Sequence, residues 1–138
     1  MTFTPDRRAQ LGALADELIP AGSGMPSASE AGVAGRYLDE LLAARPDLAE
    51  PLLTALEQVG ALAPGAAIAR LRDAHPEGWS VLTAIVPGAY FLNAEIRAAI
   101  GFPGLEARPI DTDAEPDYLD LLDSVVARGP VFRPTPHG

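Results

Sequence analysis

An all-α fold is predicted by two features of the sequence. Helix start and stop signals recur along its length, and no segment shows the alternation of apolar and polar residues that is typical of strands. The 138 residues include 13 glycines and 14 prolines, many of which lie between apolar stripes at helical spacing. We expect a single-domain bundle of about five to seven helices over residues 1–138, with Gly/Pro-rich loops, a helical core at about 5–128 and an extended proline-rich tail at 129–138.

The first two helices are indicated by their N-terminal residues. Thr4-Pro5 is typical of an N-cap followed by proline at the first helical position, and this helix should end before Pro20. Ser27 and Glu30 have the spacing of a capping box, which predicts that a second helix begins there. The apolar stripe of that second helix consists of Ala34, Tyr37, Leu38, Leu41 and Leu42.

Further helices are expected from Asp47 or Glu50-Pro51 to Gly60, at about 65–74, from about Glu77 onward, and from about Glu115-Pro116 to Gly129. Within the third of these segments, Pro87-Gly88 predicts a kink or break because proline removes a helical hydrogen bond. Asn93 is expected to cap a short helix that ends at Gly101.

Charge and composition exclude several classes of function. The net charge is −9, which would repel a phosphate backbone, so we expect no nucleic-acid partner. There is no cysteine, which removes disulfides and thiolate chemistry.

A membrane location is not predicted. Gly78 to Ala94 is free of charge for 17 residues, but a spanning helix needs about 20 apolar residues, and Pro87 interrupts the stretch. The N-terminal segment contains Asp16 and Glu17 where a signal peptide would be uninterrupted and apolar. We expect no transmembrane segment and a cytoplasmic location, with a periplasmic one only if the chain is exported with a partner.

No catalytic, cofactor-binding or metal-binding residue is predicted. His75 has no second ligand at helical spacing, and no serine lies in a nucleophile elbow. Asp117, Asp120 and Asp123 lie three residues apart, which is typical of a solvated acidic helix face. The aromatic residues are more informative: Trp79, Tyr90, Phe91 and Phe102 are close together in sequence and belong either to the core or to a partner surface.

Four segments of the sequence resemble a known family. Leu14–Pro20 and Met25–Ala34 resemble the "L-A-D-x-I-I-P" and "P-x-A-x-E-A-G-V" opening of the gluconate 2-dehydrogenase small-subunit (subunit 3) family. Tyr90–Gly104 is similar to a second motif of that family, which ends in "I-G-Y-P-G". Gly129–Pro134 is similar to the ending of one of its branches.

This resemblance implies a helical subunit with no catalytic activity of its own. It would bind and stabilise or mature a large FAD-dependent oxidoreductase of the glucose–methanol–choline type, which oxidises a sugar or another alcohol. FAD is expected in that partner and no cofactor in this chain. On this interpretation the expected partner-binding residues are Trp79, Tyr90, Phe91, Phe102, Pro103, Phe132, Arg133 and Pro134.

Two other functions stay open. The chain could be a self-contained small helical enzyme or ligand-binding domain with a pocket near Trp79 and Tyr90. It could also be a homo-oligomeric helical domain without a catalytic partner.

Overall fold

The computed structural model describes residues 3–102, 104–105, 118–129 and 131. Within these residues there are seven α-helices, one short 3-10 helix and no strand, so the all-α prediction is confirmed. The chain divides into two units, Met1–Gly104 and Leu105–Gly138, and each is described on its own. The single domain over residues 1–138 stays a prediction, and of the predicted tail only Gly129 and Val131 are described.

Six helices belong to the first unit and one to the second. They are α1 (Pro5–Leu18), α2 (Arg36–Ala44), α3 (Ala49–Val59), α4 (Pro64–Ala74), α5 (Pro76–Leu92) and α6 (Ala94–Ala99), with the 3-10 helix at Pro46–Leu48, and then α7 (Leu119–Arg128).

Several predicted helix boundaries are confirmed by the caps that form. The Thr4 hydroxyl accepts a hydrogen bond from the backbone N–H of Arg7 at 3.3 Å, at the start of α1. Helices α3 and α4 lie within a residue or so of the predicted segments. The predicted start of the last helix near Glu115 lies outside the described residues, whereas its end before Gly129 is confirmed.

The second helix begins later than predicted, although its capping box forms. The backbone N–H of Ser27 donates to Glu30 Oε2 at 2.8 Å, and that of Glu30 donates to Ser27 Oγ at 3.4 Å. The chain then continues through turns, because Gly32 has a φ of +84°, which an α-helix does not allow. The prediction of a helix start at Ser27 is therefore wrong, and α2 begins at Arg36.

Helix α5 is not broken at Pro87. It continues from Pro76 to Leu92, so of the predicted kink or break at Pro87-Gly88 the break does not occur. Proline removes one backbone hydrogen bond, but α5 is the central helix of its unit and packs against α2, α3, α4 and α6. Burial of its side chains on several sides holds the helix together, since tertiary packing supplies most of a helix's stability.

The core of the first unit lies around α5. Its largest fully buried side chains come from α1, α2, α3, α4 and α5 and from the loop before α2. They are Leu11, Val33, Leu38, Leu52, Leu56, Leu71, Leu82, Ile85 and Val86. Of the stripe predicted for the second helix, Leu38 is fully buried and the other four side chains pack against the core half-buried.

In the second unit, α7 carries an exposed apolar face. Leu121, Leu122, Val125 and Val126 are all exposed.

None of the described helices alone has the length and apolarity needed to span a membrane. The segments Pro46–Val59 and Pro64–Ala74 meet those limits only when they are taken together, as a pair bent by 114°.

Candidate partner-binding surface

Two of the segments that resemble the dehydrogenase subunit family, Met25–Ala34 and the one that begins at Tyr90, contact each other in the folded chain. We call residues 90–102 the elbow and residues 20–35 the α1–α2 loop. The Tyr90 hydroxyl donates a hydrogen bond to the carbonyl of Pro26 at 2.8 Å, and the Asn93 side-chain amide donates to the carbonyl of Ala31 at 3.2 Å. Residues more than 60 positions apart in sequence thus form one local structure.

The α1–α2 loop is itself fixed to α1. The Asp16 carboxylate accepts hydrogen bonds from the Ser29 backbone N–H at 2.7 Å and from the Ser29 hydroxyl at 2.6 Å. Burial tends to raise the pKa of Asp16, but the hydrogen bonds from Ser29 and Ser27 outweigh it and hold this pKa below its ordinary value. An ionised Asp16 therefore stabilises the loop against which the elbow packs.

The elbow contains a short helix, α6, which has a defined cap at each end. Asn93 Oδ1 accepts from the backbone N–H of Glu95 at 2.9 Å and so caps α6. At the other end, Gly101 has a φ of +73°, its N–H donates to the Ala98 carbonyl, and the N–H of Phe102 donates to the Arg97 carbonyl at 2.8 Å. This pair of bonds is a Schellman motif, which fixes the backbone of Phe102 relative to α6.

The aromatic residues of the predicted surface separate into inner and outer ones. Tyr90 is only 4% exposed and lies in the core, and Trp79 is half-buried against the core. Phe91 and Phe102 are 45% and 49% exposed. The rings of Tyr90 and Phe91 meet edge to face with centroids 5.5 Å apart, so the buried ring supports the exposed one.

The partner-binding prediction thus keeps Phe91 and Phe102 as its exposed members among the described residues. Pro103, Phe132, Arg133 and Pro134 lie outside those residues. Ile100, which is 52% exposed, joins Phe91 and Phe102 as an exposed apolar residue of the elbow. Ile100 was not among the partner-binding residues predicted from the sequence, and its exposure follows from its place at the end of α6.

A polar cleft of about 430 Å³ lies between the start of α2 and the elbow. The Arg36 guanidinium lies over the Tyr37 ring, 5.5 Å from its centroid, and Arg97 Nη1 donates to the Phe91 carbonyl at 3.4 Å. The cleft is lined by Arg36, Tyr37, Glu40, Leu92, Asn93, Ala94, Glu95 and Arg97. The cleft residues of α2 and those of the elbow are more than 50 positions apart in sequence, so no local sequence pattern could indicate the cleft.

The other clefts of the described residues lie elsewhere. An apolar one of about 380 Å³ is formed by α1 and the α3–α4 connection, with Leu14, Val59 and Leu62 among its walls. A ligand-binding domain was expected to have its pocket near Trp79 and Tyr90. Neither of these residues lines any of five well-formed clefts of the described residues. No group of three histidine or acidic side chains in the described part of the chain could hold a metal ion.

Comparison with family models, with curated proteins and with solved structures finds no significant match to this chain. The functional interpretation therefore depends on the geometry of the elbow and on the motifs within its sequence.

Proposed function

We propose that this chain is a non-catalytic small subunit that binds and stabilises a large FAD-dependent oxidoreductase of the glucose–methanol–choline type. The observation that carries the proposal is the contact between the two motif-bearing segments through Tyr90 and Asn93. Motifs that are remote in sequence but adjacent in space are what a shared binding surface requires.

The composition of the elbow supports a role in protein binding. Phe91, Ile100 and Phe102 are exposed apolar side chains on a short segment, and aromatic residues are enriched at the centres of protein interfaces. Exposed side chains of this size are unfavourable in water, and burial against a partner would remove that cost.

The rigidity of the elbow supports the same role. Asn93 caps one end, the Schellman motif closes the other, and Tyr90 anchors the segment to the α1–α2 loop. A surface that is already ordered loses little conformational entropy when it binds. The elbow therefore suits a stable subunit contact.

We expect FAD to bind to the large subunit. The gene for that subunit should lie beside the gene for this chain, and its sequence should begin with a dinucleotide-binding fingerprint. This chain contributes contact area, and the large subunit contributes the cofactor and the substrate site.

Co-expression of the two chains tests the proposal. We expect them to co-elute in size-exclusion chromatography, with a full complement of flavin measured by its absorbance. The large subunit expressed alone should be poorly soluble or depleted of flavin. Equal solubility, flavin content and dehydrogenase activity of the large subunit without this chain would contradict the proposal.

A further inference from the structure

We infer that the cleft beside the elbow binds the carboxylate of an aspartate or glutamate side chain in an apolar segment of the large subunit. This inference rests on the proposed function and names the chemistry of the contact. It depends on Arg36 and Arg97, which line the cleft from two different helices.

The two arginines differ from most others in the described part of the chain. Four arginines there form ion pairs with N–O distances of 2.6 to 3.2 Å: Arg7, Arg8, Arg45 and Arg72. Arg36 and Arg97 have no described carboxylate within 4.0 Å, although Glu40 and Glu95 line the same cleft. Within the described part of the chain, neither guanidinium group therefore has a carboxylate partner.

Both guanidinium groups are held in place by contacts that do not use up their hydrogen-bonding capacity. The Arg36 group lies over the Tyr37 ring, and Arg97 uses one N–H to contact the Phe91 carbonyl. A guanidinium carries five N–H donors, and its planar fork matches a carboxylate. Most of these N–H donors are left for a ligand, and the contacts with Tyr37 and with the Phe91 carbonyl orient the two guanidinium groups before the ligand binds.

The charges around the cleft favour the binding of a single carboxylate over that of an extended polyanion. Glu40 and Glu95 in the walls, together with the net charge of −9, would repel a chain of phosphates. The Phe91 carbonyl that binds Arg97 belongs to the exposed apolar part of the elbow. A partner segment that packs on Phe91 therefore lies beside Arg97, where an acidic side chain of that segment would meet the cleft.

Dissociation of the co-expressed and co-purified complex on dilution, followed by size-exclusion chromatography, gives the Kd that tests the inference. Arg36→Gln and Arg97→Gln are each expected to raise the Kd about tenfold, the loss typical of one hydrogen-bonded charged contact. Arg70→Gln is the matched control: it removes the same charge from an exposed arginine of α4 that has no ion pair among the described residues, and it should leave the Kd unchanged. Added salt should weaken the wild-type complex more than the doubly substituted one, because ions screen the lost attraction.

Arg36→Glu provides a second variant. Arg36 donates no side-chain hydrogen bond within the described part of the chain, so this substitution leaves the elbow intact, and it should weaken binding further than Arg36→Gln. Arg97→Lys should show an intermediate affinity, since it keeps the charge and loses the fork.

The outcomes separate the inference from the proposed function. A complex that forms with unchanged Kd and unchanged salt dependence in Arg36→Gln, Arg97→Gln and the doubly substituted chain overturns the carboxylate site and leaves the subunit role intact. Absence of any complex between the wild-type chains overturns both.

Discussion

Gly78 determines how closely α5 approaches α3 and α4. A Cβ atom at this position would lie 3.0 Å from Gln58 Oε1, 3.0 Å from Leu71 Cδ2 and 3.2 Å from Ala55 Cβ. These distances are shorter than ordinary contacts, and the neighbours are mostly buried core residues. We expect Gly78→Ala to reduce the free energy of unfolding by about 1–3 kcal/mol, as overpacking does, in urea unfolding followed by circular dichroism.

Gly12 is the matched control, because it is also a buried glycine inside a helix. A Cβ atom there would meet only Ala34 and Ser29 side chains at 3.8 Å, an ordinary distance. Gly12→Ala should therefore stabilise the protein by about 0.5–1 kcal/mol, the usual gain from alanine in a helix. Equal effects of the two substitutions would contradict the packing described for α5.

Asp16 is expected to stabilise the α1–α2 loop only while it is ionised. Asp16→Asn leaves one oxygen to accept hydrogen bonds from Ser29 and removes the charge, so near neutral pH it should lower the free energy of unfolding by about 1 kcal/mol.

The pH dependence of that difference follows from the direction of the pKa shift. The folded-state pKa of Asp16 lies below the ordinary value of 3.8, so the carboxylate contributes its full stability above that pH. As the pH falls through the folded-state pKa, the contribution is lost, and the wild type and Asp16→Asn should converge. A difference that stays constant from neutral to strongly acidic pH would refute this role.

At the scale of elements, Asn93 connects two of them. Its Oδ1 caps α6 through Glu95, and its amide donates to the Ala31 carbonyl in the α1–α2 loop. We expect Asn93→Ala to cost about 1–2 kcal/mol by loss of the cap and of the link to the loop.

Asn93→Asp separates the two contacts. The carboxylate still accepts from Glu95 but no longer donates to Ala31, so its cost should come from the link alone. Thermal unfolding of both variants measures the difference, and Asn93→Ser, which also keeps a capping oxygen, serves as a comparison. If alanine and aspartate were equally tolerated, the cap would not contribute as described.

Local signals predicted the elements that depend on local contacts. The Thr4 cap and the Asn93 cap act within a few residues, and each is found at its predicted helix end. The late start of α2 and the absence of a break in α5 depend on tertiary structure. Helix α2 starts late because Gly32 adopts a left-handed conformation in a loop held by Asp16, and α5 continues through Pro87 because neighbouring helices surround it.

At the scale of the whole molecule, the proposed function predicts that the elbow carries most of the affinity for the large subunit. Phe91→Ala and Phe102→Ala are each expected to weaken binding to the large subunit by about 1–3 kcal/mol, as for aromatic residues central to an interface. Leu62→Ala is the control, since Leu62 is 44% exposed and lies in the connection between α3 and α4, outside the elbow. Dissociation of the three co-purified complexes on dilution measures the difference, and an equal loss of affinity for Leu62→Ala would contradict a specific role of the elbow.

The candidate surface could be predicted in part from the sequence. The aromatic cluster and the two motifs indicated its segments, but not that Tyr90 is buried beneath Phe91 or that the Asn93 amide contacts the α1–α2 loop. The cleft of Arg36 and Arg97 required the packing of α2 beside the elbow, which no spacing within one helix encodes.

Site-specific photo-cross-linking tests the central claim most directly. A photoreactive phenylalanine analogue would replace Phe91 in one variant, Phe102 in a second and Leu62 in a third, each co-expressed with the large subunit. We predict a cross-linked species with the mass of the two subunits for the variants at Phe91 and Phe102 and none for the variant at Leu62. Cross-linking at Leu62 alone, or at none of the three positions, would contradict the account of the elbow as the surface that binds the flavoenzyme.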